Sequence, residues 1–284
     1  MIPVPVCLVG MSRTMLANAR AAQVTEVTYC NSLSVSEHVV LQILALVRNF
    51  VPAHETIKKG GWNIADVVSR SYDLEGMHVG TVAAGRIGLA VLRRLKPFDV
   101  KLHYTDRHRL PESVEKELGL TFHKDYHSMI KVCDVVTLNC PLHGETQHMI
   151  NDKTLATMKK GAYIVNTARG KLCDRDAIVR ALESGHLAGY AGDVWFPQPP
   201  PNDHPWRKMP NHAMTPHMSG TSLSAQHRYA GGVREILECF FDKKPIRQEY
   251  LIAQGGKLAG VGAHSYAAGN ATGGSEEAAK FKKN

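Results

Sequence analysis

Four polar segments in the second half of the sequence carry the side chains that could bind and orient a small anion. They are residues 140–146, 166–170, 193–198 and 214–220. Arg169 offers a planar guanidinium that matches a carboxylate with two parallel hydrogen bonds. His217 can donate a hydrogen bond or carry a proton near neutral pH. One arginine alone would indicate a surface ion pair and one histidine a structural role, but four such segments together favour a binding site.

The segments that come before these loops have the apolar content of buried strands. The predicted strands are residues 134–139, 162–166 and 187–194, and the predicted helices around them are residues 111–118, 126–132, 154–158 and 175–184. Strands that alternate with helices predict an α/β fold, a doubly wound parallel sheet with helices on both faces. Ligands bind at the carboxyl ends of the strands in such sheets. The polar segments begin at those ends.

A glycine-containing turn lies in the segment 77–92, which predicts a strand followed by a helix. Gly85 and Gly88 occupy two positions of a dinucleotide-binding turn, and Ala83 replaces the usual first glycine. The N–H groups and the dipole at a helix start favour a pyrophosphate. Such a turn is often only a tight connection, but Asp106 ends the next strand, about twenty residues on, where a ribose-binding acid is expected. The pattern therefore favours a dinucleotide cofactor.

Ahead of this turn the sequence predicts a strand and a long apolar helix. Residues 24–31 are a short β-branched run. Ser34 is then predicted to cap a helix that runs to Phe50, with Glu37 at the capping-box position. Because this helix is apolar on nearly every side, we expect it to be buried between domains or against a partner subunit.

The composition is that of an ordinary globular protein. The 284 residues suffice for one large or two modest domains, with 44% hydrophobic and 21% charged residues. No apolar run reaches the length of a membrane span. The net charge of +8 comes from scattered lysines and arginines, without the basic face and interleaved aromatic residues of a nucleic-acid-binding protein. Such a charge suits a small anionic substrate and an anionic cofactor.

The cysteines and the N-terminus bear on the compartment. The six cysteines show no paired spacing, so we predict neither a disulfide framework nor a metal site, and reduced thiols in the cytoplasm. Residues 1–23 contain two arginines and no acid. This composition is compatible with a scrambled or truncated N-terminus, and a mitochondrial presequence is the minor alternative to a cytoplasmic location.

From Val24 to Asn284 the sequence closely resembles the NAD-dependent formate dehydrogenases, members of the D-2-hydroxyacid dehydrogenase family. Long stretches carry the resemblance: EVTYCNS at 26–32, AAGRIG at 83–88, YTDRH at 104–108, NCPLH at 139–143, NTARGKLCDRD at 166–176, GDVWFPQP at 192–199 and TPH at 215–217. The resemblance implies a Rossmann-type NAD domain with an incomplete second, substrate domain. The predicted boundaries are 1–31 for an unmatched N-terminus and substrate-domain remnant, 32–217 for the NAD-binding domain, and 218–284 for a return to the substrate domain.

The resemblance also implies roles for individual residues. Asn31 and Arg169 would hold the carboxylate of formate. His217, paired with Gln198, would orient the substrate next to the nicotinamide. Asp106 would bind the adenosine ribose and repel a 2′-phosphate, which selects NAD over NADP. The remaining predicted NAD contacts are Ser32, Gly85, Arg86, Ile87, Gly88, Pro141, Leu142, His143, Gly144, Glu145, Thr167, Asp193, Ser219 and Gly220.

Position 198 separates formate from a 2-hydroxy acid as the substrate. Oxidation of a hydroxy acid releases a proton as well as a hydride, so relatives with that activity pair the histidine with a glutamate. Formate yields carbon dioxide with no proton to remove. A neutral glutamine then suffices and does not repel the anion. Gln198 therefore favours formate over a reductase of glyoxylate-like 2-oxo acids, which is the alternative enzyme.

The resemblance leaves the front of the chain unmatched. In the family, a substrate domain precedes the strand that matches Val24 and helps to exclude water from the site. Since exclusion of water strengthens electrostatic stabilisation, we expect formate dehydrogenase activity that is impaired. The second alternative is a truncated, non-catalytic NAD-binding homologue. As partners we expect formate and a second copy of the chain in a homodimer, with no nucleic acid and no membrane.

Overall fold

A computed structural model of the chain describes residues 6–7, 23–255 and 257–259. The chain divides into two compact units. The sheet unit comprises residues 33–140 and 146–220, and the terminal unit comprises the described parts of 1–32, 141–145 and 221–284. The predicted domain boundaries after residues 31 and 217 stay a prediction. The sequence did not predict that Pro141–Glu145 belong to the terminal unit.

The described residues contain strands that form two separate sheets. The strands are β1 (Val6–Cys7), β2 (Val24–Thr25), β3 (His78–Val82), β4 (Lys101–Thr105), β5 (Thr121–Phe122), β6 (Val135–Leu138), β7 (Ala162–Asn166), β8 (Leu187–Gly192), β9 (His212–Met214), β10 (Leu251–Gln254) and β11 (Lys257–Leu258). The sheet unit holds β3 to β9 in the order β5-β4-β3-β6-β7-β8-β9, and every neighbouring pair is parallel. The terminal unit holds the other four.

Helices alternate with the strands of the sheet unit. The α-helices are α1 (Ser32–Val47), α2 (Phe50–Lys58), α3 (Ile64–Val68), α4 (Arg86–Leu95), α5 (Glu112–Leu118), α6 (Tyr126–Ile130), α7 (Asp152–Leu155), α8 (Arg175–Glu183) and α9 (Leu223–Phe241). This alternation with an all-parallel sheet confirms the predicted α/β fold. Parallel strands require crossover connections, which these helices provide.

The strand order reverses next to β3. The chain passes from β3 to β4 and β5 on one side, and then returns to place β6 to β9 on the other side. Register confirms that β3 lies between the two halves, because Val79 pairs with Leu102 of β4 and with Val135 of β6. The crevice at the carboxyl ends of strands beside such a reversal is where ligands bind in sheets of this kind.

The core follows from the sequence of the central strands. Every residue of β6 and β7 is buried, which accounts for their continuous apolar runs. Helix α4 is amphipathic, since it buries Val91, Leu92 and Leu95 and places Arg93 in its exposed last turn. Packing of such apolar stripes on the sheet supplies most of the stability of the helices.

The start of α1 differs from the prediction. A 3-10 turn over Thr28–Asn31 runs directly into the helix, which begins at Ser32. Ser34 therefore lies inside the first turn, and the prediction that it caps the helix was wrong. The helix also ends at Val47, because Asn49 takes a left-handed conformation with φ of 51° and a second helix begins at Phe50.

The terminal unit is organised around α9. Helix α9 packs against the turn Thr28–Asn31, and Gly232 lies so close to Val27 that a Cβ on the glycine would be 2.4 Å from Cγ1 of the valine. Arg228 donates from Nε to the carbonyl of Cys30 at 2.6 Å. The predicted strand over residues 24–31 is thus limited to β2. The expectation for the N-terminal segment falls, apart from residues 6, 7 and 23, outside the described residues.

Two further sequence-based expectations concern membranes and thiols. Within the described residues no single helix is long and apolar enough to cross a membrane; α1 and α2 together have the length and composition but are bent by 70°. Cys133, Cys140 and Cys173 are buried free thiols, and burial raises the pKa of each to about 12. Such thiols are not nucleophiles at neutral pH, because the thiolate is the reactive form.

Candidate active site

The turn between β3 and α4 is the predicted pyrophosphate site. Ala83 adopts a left-handed conformation with φ of 72°, which costs an L-residue about 1–2 kcal/mol. Hydrogen bonds hold it there, since its N–H donates to the carbonyl of Thr105 at 2.8 Å and its carbonyl accepts from the Thr81 hydroxyl at 2.9 Å. The backbone can therefore turn sharply into α4 although the first position of the fingerprint is alanine.

Glycine is favoured at two positions of this turn, Gly85 and Gly88, for different structural reasons. A Cβ on Gly88 would lie 2.1 Å from the carbonyl oxygen of Ala83, so only glycine lets α4 pack against the turn. A Cβ on Gly85 would have no protein atom within 4 Å. The space beside Gly85 is thus open, as a backbone that must approach a phosphate closely requires. Arg86, Ile87 and Gly88 form the first turn of α4, where backbone N–H groups face a ligand.

Asp106 lies directly after β4 and joins the two strands at this edge. Its Oδ2 accepts from the N–H of Ala84 at 2.7 Å, and its Oδ1 accepts from the N–H of His108 at 3.0 Å. The structure thus brings the predicted ribose acid to the glycine turn. It also gives Asp106 a second task, which is to hold that turn.

Arg169 stands on a turn that the preceding strand residue organises. The side chain of Asn166 donates to the carbonyl of Arg169 at 2.9 Å and accepts from the N–H of Ala168 at 3.1 Å. Thr167 between them is buried, whereas the Arg169 side chain is exposed. Asn166 itself is completely buried. The turn is therefore fixed from inside the protein while its guanidinium faces outward.

His217 and Gln198 come from different loops and meet. Nδ1 of His217 lies 2.7 Å from Nε2 and 2.9 Å from Oε1 of the Gln198 amide. Both side chains are exposed. The backbone of His217 is left-handed, with φ of 56°. The structure therefore confirms that the pair exists, and it shows that the histidine's partner is a neutral amide rather than a carboxylate.

The turn that bears Arg169 packs against the loop that bears Gln198. A Cβ on Gly170 would lie 2.6 Å from the backbone carbonyl of Trp195. The ammonium of Lys171 sits 3.9 Å above the ring of Phe196, a cation–π contact. The loop after β7 and the loop after β8 therefore form one continuous surface at the carboxyl edge of the sheet.

Asp193 is a fully buried carboxylate at the same edge. It accepts from the Thr215 hydroxyl at 2.5 Å and from the N–H groups of Met218 at 2.9 Å and Ser219 at 2.7 Å. Burial raises the pKa of this carboxyl, but hydrogen bonds from two hydroxyls and from the backbone outweigh burial and hold the pKa below its usual value. Asp193 thus stays ionised and stabilises the left-handed turn at His217, with Ser219 and Gly220 directly after it.

The remaining predicted residues lie in the terminal unit. These are Asn31, Ser32, Pro141, Leu142, His143, Gly144 and Glu145. Asn31 ends the 3-10 turn, and Ser32 begins α1. Their assignment to substrate and cofactor stays a prediction.

Sequence reasoning missed several residues that shape the site. His38 of α1 places Nε2 3.1 Å from the Thr215 hydroxyl and 4.0 Å from the Asp193 carboxylate. Burial lowers the pKa of His38 despite that carboxylate. Asn166, His204 and Arg207 were also missed. Asn166 at a strand end and the run of prolines before His204 are sequence features that could have indicated these residues. The contact of His38 with Thr215 joins positions far apart in the chain, and no sequence spacing indicates it.

Metal binding is the other chemistry that clusters of polar side chains could support. Among the residues that the structure describes, no group of three or more His, Cys, Asp or Glu side chains is arranged to hold a metal ion.

The chain is similar to a known family of enzymes. Residues 40–219 match the family described as D-isomer specific 2-hydroxyacid dehydrogenase, NAD binding domain. The formate dehydrogenase of Pseudomonas sp. (strain 101) is 77% identical over 264 residues, which are 93% of this chain and 66% of that protein. The chain thus spans about two thirds of the length of this curated relative.

Solved structures agree with the sequence relatives. A Granulicella formate dehydrogenase superposes with a TM-score of 0.86 at 61% identity, covering 90% of this chain and 69% of that one. An NAD-dependent formate dehydrogenase from Staphylococcus aureus, solved in complex with NAD, gives a TM-score of 0.76 at 39% identity, covering 88% and 75%. These comparisons confirm the resemblance found in the sequence.

Proposed function

We propose that this chain, which belongs to the D-isomer-specific 2-hydroxyacid dehydrogenase family and within it to the formate dehydrogenases, oxidises formate to carbon dioxide by hydride transfer to NAD. The observation that carries the proposal is the pair of Gln198 and His217 at the carboxyl edge of the sheet. A histidine that acts as a general base is paired with a charged carboxylate, whereas His217 is hydrogen-bonded to the uncharged amide of Gln198.

A neutral partner suits a reaction that transfers a hydride without a proton. A carboxylate beside an imidazole favours its protonated form and makes it an acid–base group. An amide has no such charge, so the imidazole of His217 acts as a positioned hydrogen-bonding group. Formate loses its C–H hydride, and its two oxygens become those of carbon dioxide, so no proton is left to remove. The absence of a negative charge at position 198 also avoids repulsion of the formate anion.

Arg169 supplies the charge that binds the substrate in this proposal. Its guanidinium can hold a carboxylate with two parallel hydrogen bonds. Asn166 fixes the main chain of the turn that bears this side chain. Asn31 is proposed as the second donor to the carboxylate. As charge moves out of the formate oxygens during the reaction, these donors keep the carbon aligned for the departure of the hydride.

The residues present at the cofactor edge suit a dinucleotide. The open space at Gly85 and the helix start at Arg86 would receive the pyrophosphate. Asp106 would accept from the adenosine ribose, and its charge would exclude a 2′-phosphate. Asp193, with Ser219, would hold the carboxamide. When bound, NAD supplies the acceptor for the hydride.

A homodimer is proposed from an apolar surface of the sheet unit. The side chains that form it are between 54% and 80% exposed; they are Leu41, Phe50, Ile57, Trp62, Ile64, Val68 and Tyr72. They lie on α1, α2 and α3 and in the segments that follow α2 and α3, and exposed apolar surface of this kind is typical of a protein–protein contact. We expect light scattering to give the mass of a dimer, and a Trp62→Glu variant to shift the chain to monomer. A monomeric parent chain at micromolar concentration would contradict the dimer.

The unpaired buried thiols suit a cytoplasmic location.

The test of the function is NADH formation on mixing the chain with formate and NAD. Arg169→Ala should lower kcat/KM for formate by at least about a hundredfold, because the charge partner and the orientation of the substrate are both lost. Arg180→Ala is the matched control, since Arg180 is also exposed but pairs with Asp152 away from this edge. NADH bound without any turnover would favour the non-catalytic homologue, and glyoxylate reduced faster than formate is oxidised would favour the alternative reductase.

A further inference from the structure

The loop that carries Gln198 is poor in hydrogen-bond donors. Residues 197–201 read PQPPP, and proline has no backbone N–H. Only Gln198 in this run can donate from the main chain. The loop therefore makes few backbone hydrogen bonds of its own, such as the one from the N–H of His204 to the carbonyl of Pro201 at 3.1 Å, and its carbonyl groups also accept from side chains.

His204 supplies a donor on one side of Gln198. Its side chain is buried, with 2% exposure, and Nε2 lies 3.1 Å from the carbonyl oxygen of Phe196. Nδ1 accepts from the N–H of Trp206 at 3.2 Å. Since Nδ1 accepts, the ring hydrogen of the neutral imidazole is on Nε2, which donates to Phe196. Burial lowers the pKa of His204, which keeps the ring neutral.

Arg207 supplies donors on the other side. Its Nε donates to the carbonyl of Pro201 at 2.9 Å, and its Nη2 donates to the carbonyl of Pro200 at 3.0 Å. The guanidinium also lies 5.6 Å from the centre of the Trp195 ring. Arg207 thus contacts the loop both before and after Gln198.

Both donors stand on a segment that is itself anchored in the core. Trp206 lies between them in the chain, is 1% exposed, and donates from its indole to the carbonyl of Arg175 at 2.9 Å. The ring of His204 meets Trp195 and Trp206 edge-on, at 5.4 and 5.5 Å. The segment 204–207 is therefore a rigid support beneath an otherwise weakly bonded loop.

We propose that His204 and Arg207 are positioning residues for Gln198, which hold the main chain on both sides of it and so fix its amide against His217. The inference rests on the proposed function for its kinetic consequence. Its structural consequence, the geometry of the pair of Gln198 and His217, does not depend on turnover. An exposed pair on a loop with few donors would otherwise sample many orientations, and misplacement of orienting groups by about 1 Å can cost a hundredfold in rate.

Two substitutions of His204 separate the loop contact from the packing contact. His204→Gln places an amide nitrogen near the position of Nε2 and keeps the bond to Phe196, whereas His204→Asn keeps an acceptor near Nδ1 for Trp206 and loses the bond to Phe196. We expect His204→Asn to lower kcat about tenfold with NAD affinity unchanged, and His204→Gln to restore most of the rate. A loss caused by packing alone would be as large in both variants.

The readout that does not need activity is NMR of the ring nitrogens in protein labelled with isotopic histidine. The Nδ1 signal of His217 should shift in His204→Asn and stay near its parent position in His204→Gln. Should the parent chain form no NADH, the proposed function fails while this measurement still decides the positioning role. An unchanged His217 signal in His204→Asn would overturn the inference.

Arg207 gives an independent test on an exposed residue, where misfolding is not an obstacle. Arg207→Met removes both donors to the loop, and Arg207→Lys keeps the charge but can reach only one carbonyl. We expect kcat to fall several-fold in Arg207→Met, with an intermediate loss in Arg207→Lys and the same direction of shift at His217. Parent values of kcat and of the His217 signal in Arg207→Met would remove Arg207 from the proposal.

Discussion

Histidines occupy two different settings in the sheet unit, a cluster of three across one face of the sheet and the single His217 at its carboxyl edge. Across one face of the sheet, His78 Nδ1 lies 2.8 Å from His103 Nε2, and His103 Nδ1 lies 3.0 Å from His123 Nε2. His103 lies two residues beyond Lys101, the partner of His78 in β4, and His123 lies two residues beyond Thr121, the partner of His103 in β5. At the carboxyl edge, by contrast, His217 is exposed and bonds through Nδ1 to the amide of Gln198.

The difference lies in what surrounds the imidazoles. His103 is 7% exposed, and burial lowers its pKa to about 4, helped by the neighbouring His78 and His123 and by Lys159 against Asp134. Lys101 also faces His78, and Asp125 faces His123. The ring nitrogens of these histidines hydrogen-bond to one another. A proton added to the buried cluster therefore disfavours the folded state. The exposed pair at the edge can change partners when a ligand binds. A cluster of buried histidines that bond to one another is therefore not by itself a sign of function.

The largest expected effect at the carboxyl edge comes from Gly88→Ala. The added Cβ would meet the carbonyl of Ala83 at 2.1 Å, so α4 has to move and the free energy of unfolding should fall by about 3 kcal/mol. NAD binding should be lost as well, because the displaced turn carries the proposed pyrophosphate site. Chemical denaturation and NAD titration measure the two effects.

Gly85→Ala is the matched control for that change. No protein atom lies within 4 Å of the new Cβ, so the unfolding free energy should stay within about 0.5 kcal/mol of the parent value. NAD affinity should still fall, since the methyl group occupies the space left for the phosphate. Equal destabilisation by both alanines would contradict the separate reasons given for the two glycines.

The histidine cluster should contribute to the pH dependence of stability on the acid side of neutrality. The pKa of His103 is near 4 in the folded protein and about 6.5 when unfolded, so below pH 6.5 the unfolded chain binds a proton that the folded chain does not. The contribution of His103 to stability is therefore complete above pH 6.5 and is lost as the pH falls toward 4, by about 3 kcal/mol in total.

His103→Gln removes that titration and sharpens the contrast between the two groups. The variant should lose stability at neutral pH, because the ring contacts disappear, yet its unfolding free energy should depend less on pH between 6.5 and 4. Denaturation at several pH values measures the slope. The formate pH–rate profile near neutrality should not change, and a change there would show that the cluster reaches the active site.

Asp106→Ser tests the cofactor edge with a smaller effect. The substitution removes the charged acceptor for ribose, so NAD binding should weaken by about 2 kcal/mol, and the repulsion of NADP should decrease. It also removes the acceptor for the N–H of Ala84, although a serine hydroxyl can accept in part. Titration with both cofactors measures the preference, and an unchanged preference for NAD would remove Asp106 from the assignment.

Gln198→Glu should have the smallest effect at a single pH but the most specific signature. The new carboxylate favours a proton on His217, so the edge pair would begin to titrate like an acid–base group. We expect a flat profile of kcat/KM between about pH 6 and 9 for the parent, and a titrating limb of about tenfold for the variant. A parent profile that is already bell-shaped near pH 7 would contradict the neutral mechanism.

The sequence by itself determined the elements that depend on local patterns. Strand β7 has the predicted bounds Ala162–Asn166, and β3 is followed directly by α4 as the segment 77–92 predicted. These elements follow from apolar periodicity and turn residues, which act over a few neighbouring positions. The strand-end loops followed from the same pattern, because parallel strands place their carboxyl ends at one edge.

Only the tertiary structure decided the features that depend on contacts between distant residues. Helix α1 begins at Ser32 rather than after Ser34 because the preceding residues form a 3-10 turn that packs on α9. The histidine cluster joins three strands, and its register is set by the sheet. The prolines near Gln198 indicate a loop with few main-chain donors, but only the folded chain shows that His204 and Arg207 donate to its carbonyl groups. Hydrogen bonds between such positions leave no periodic pattern in the sequence.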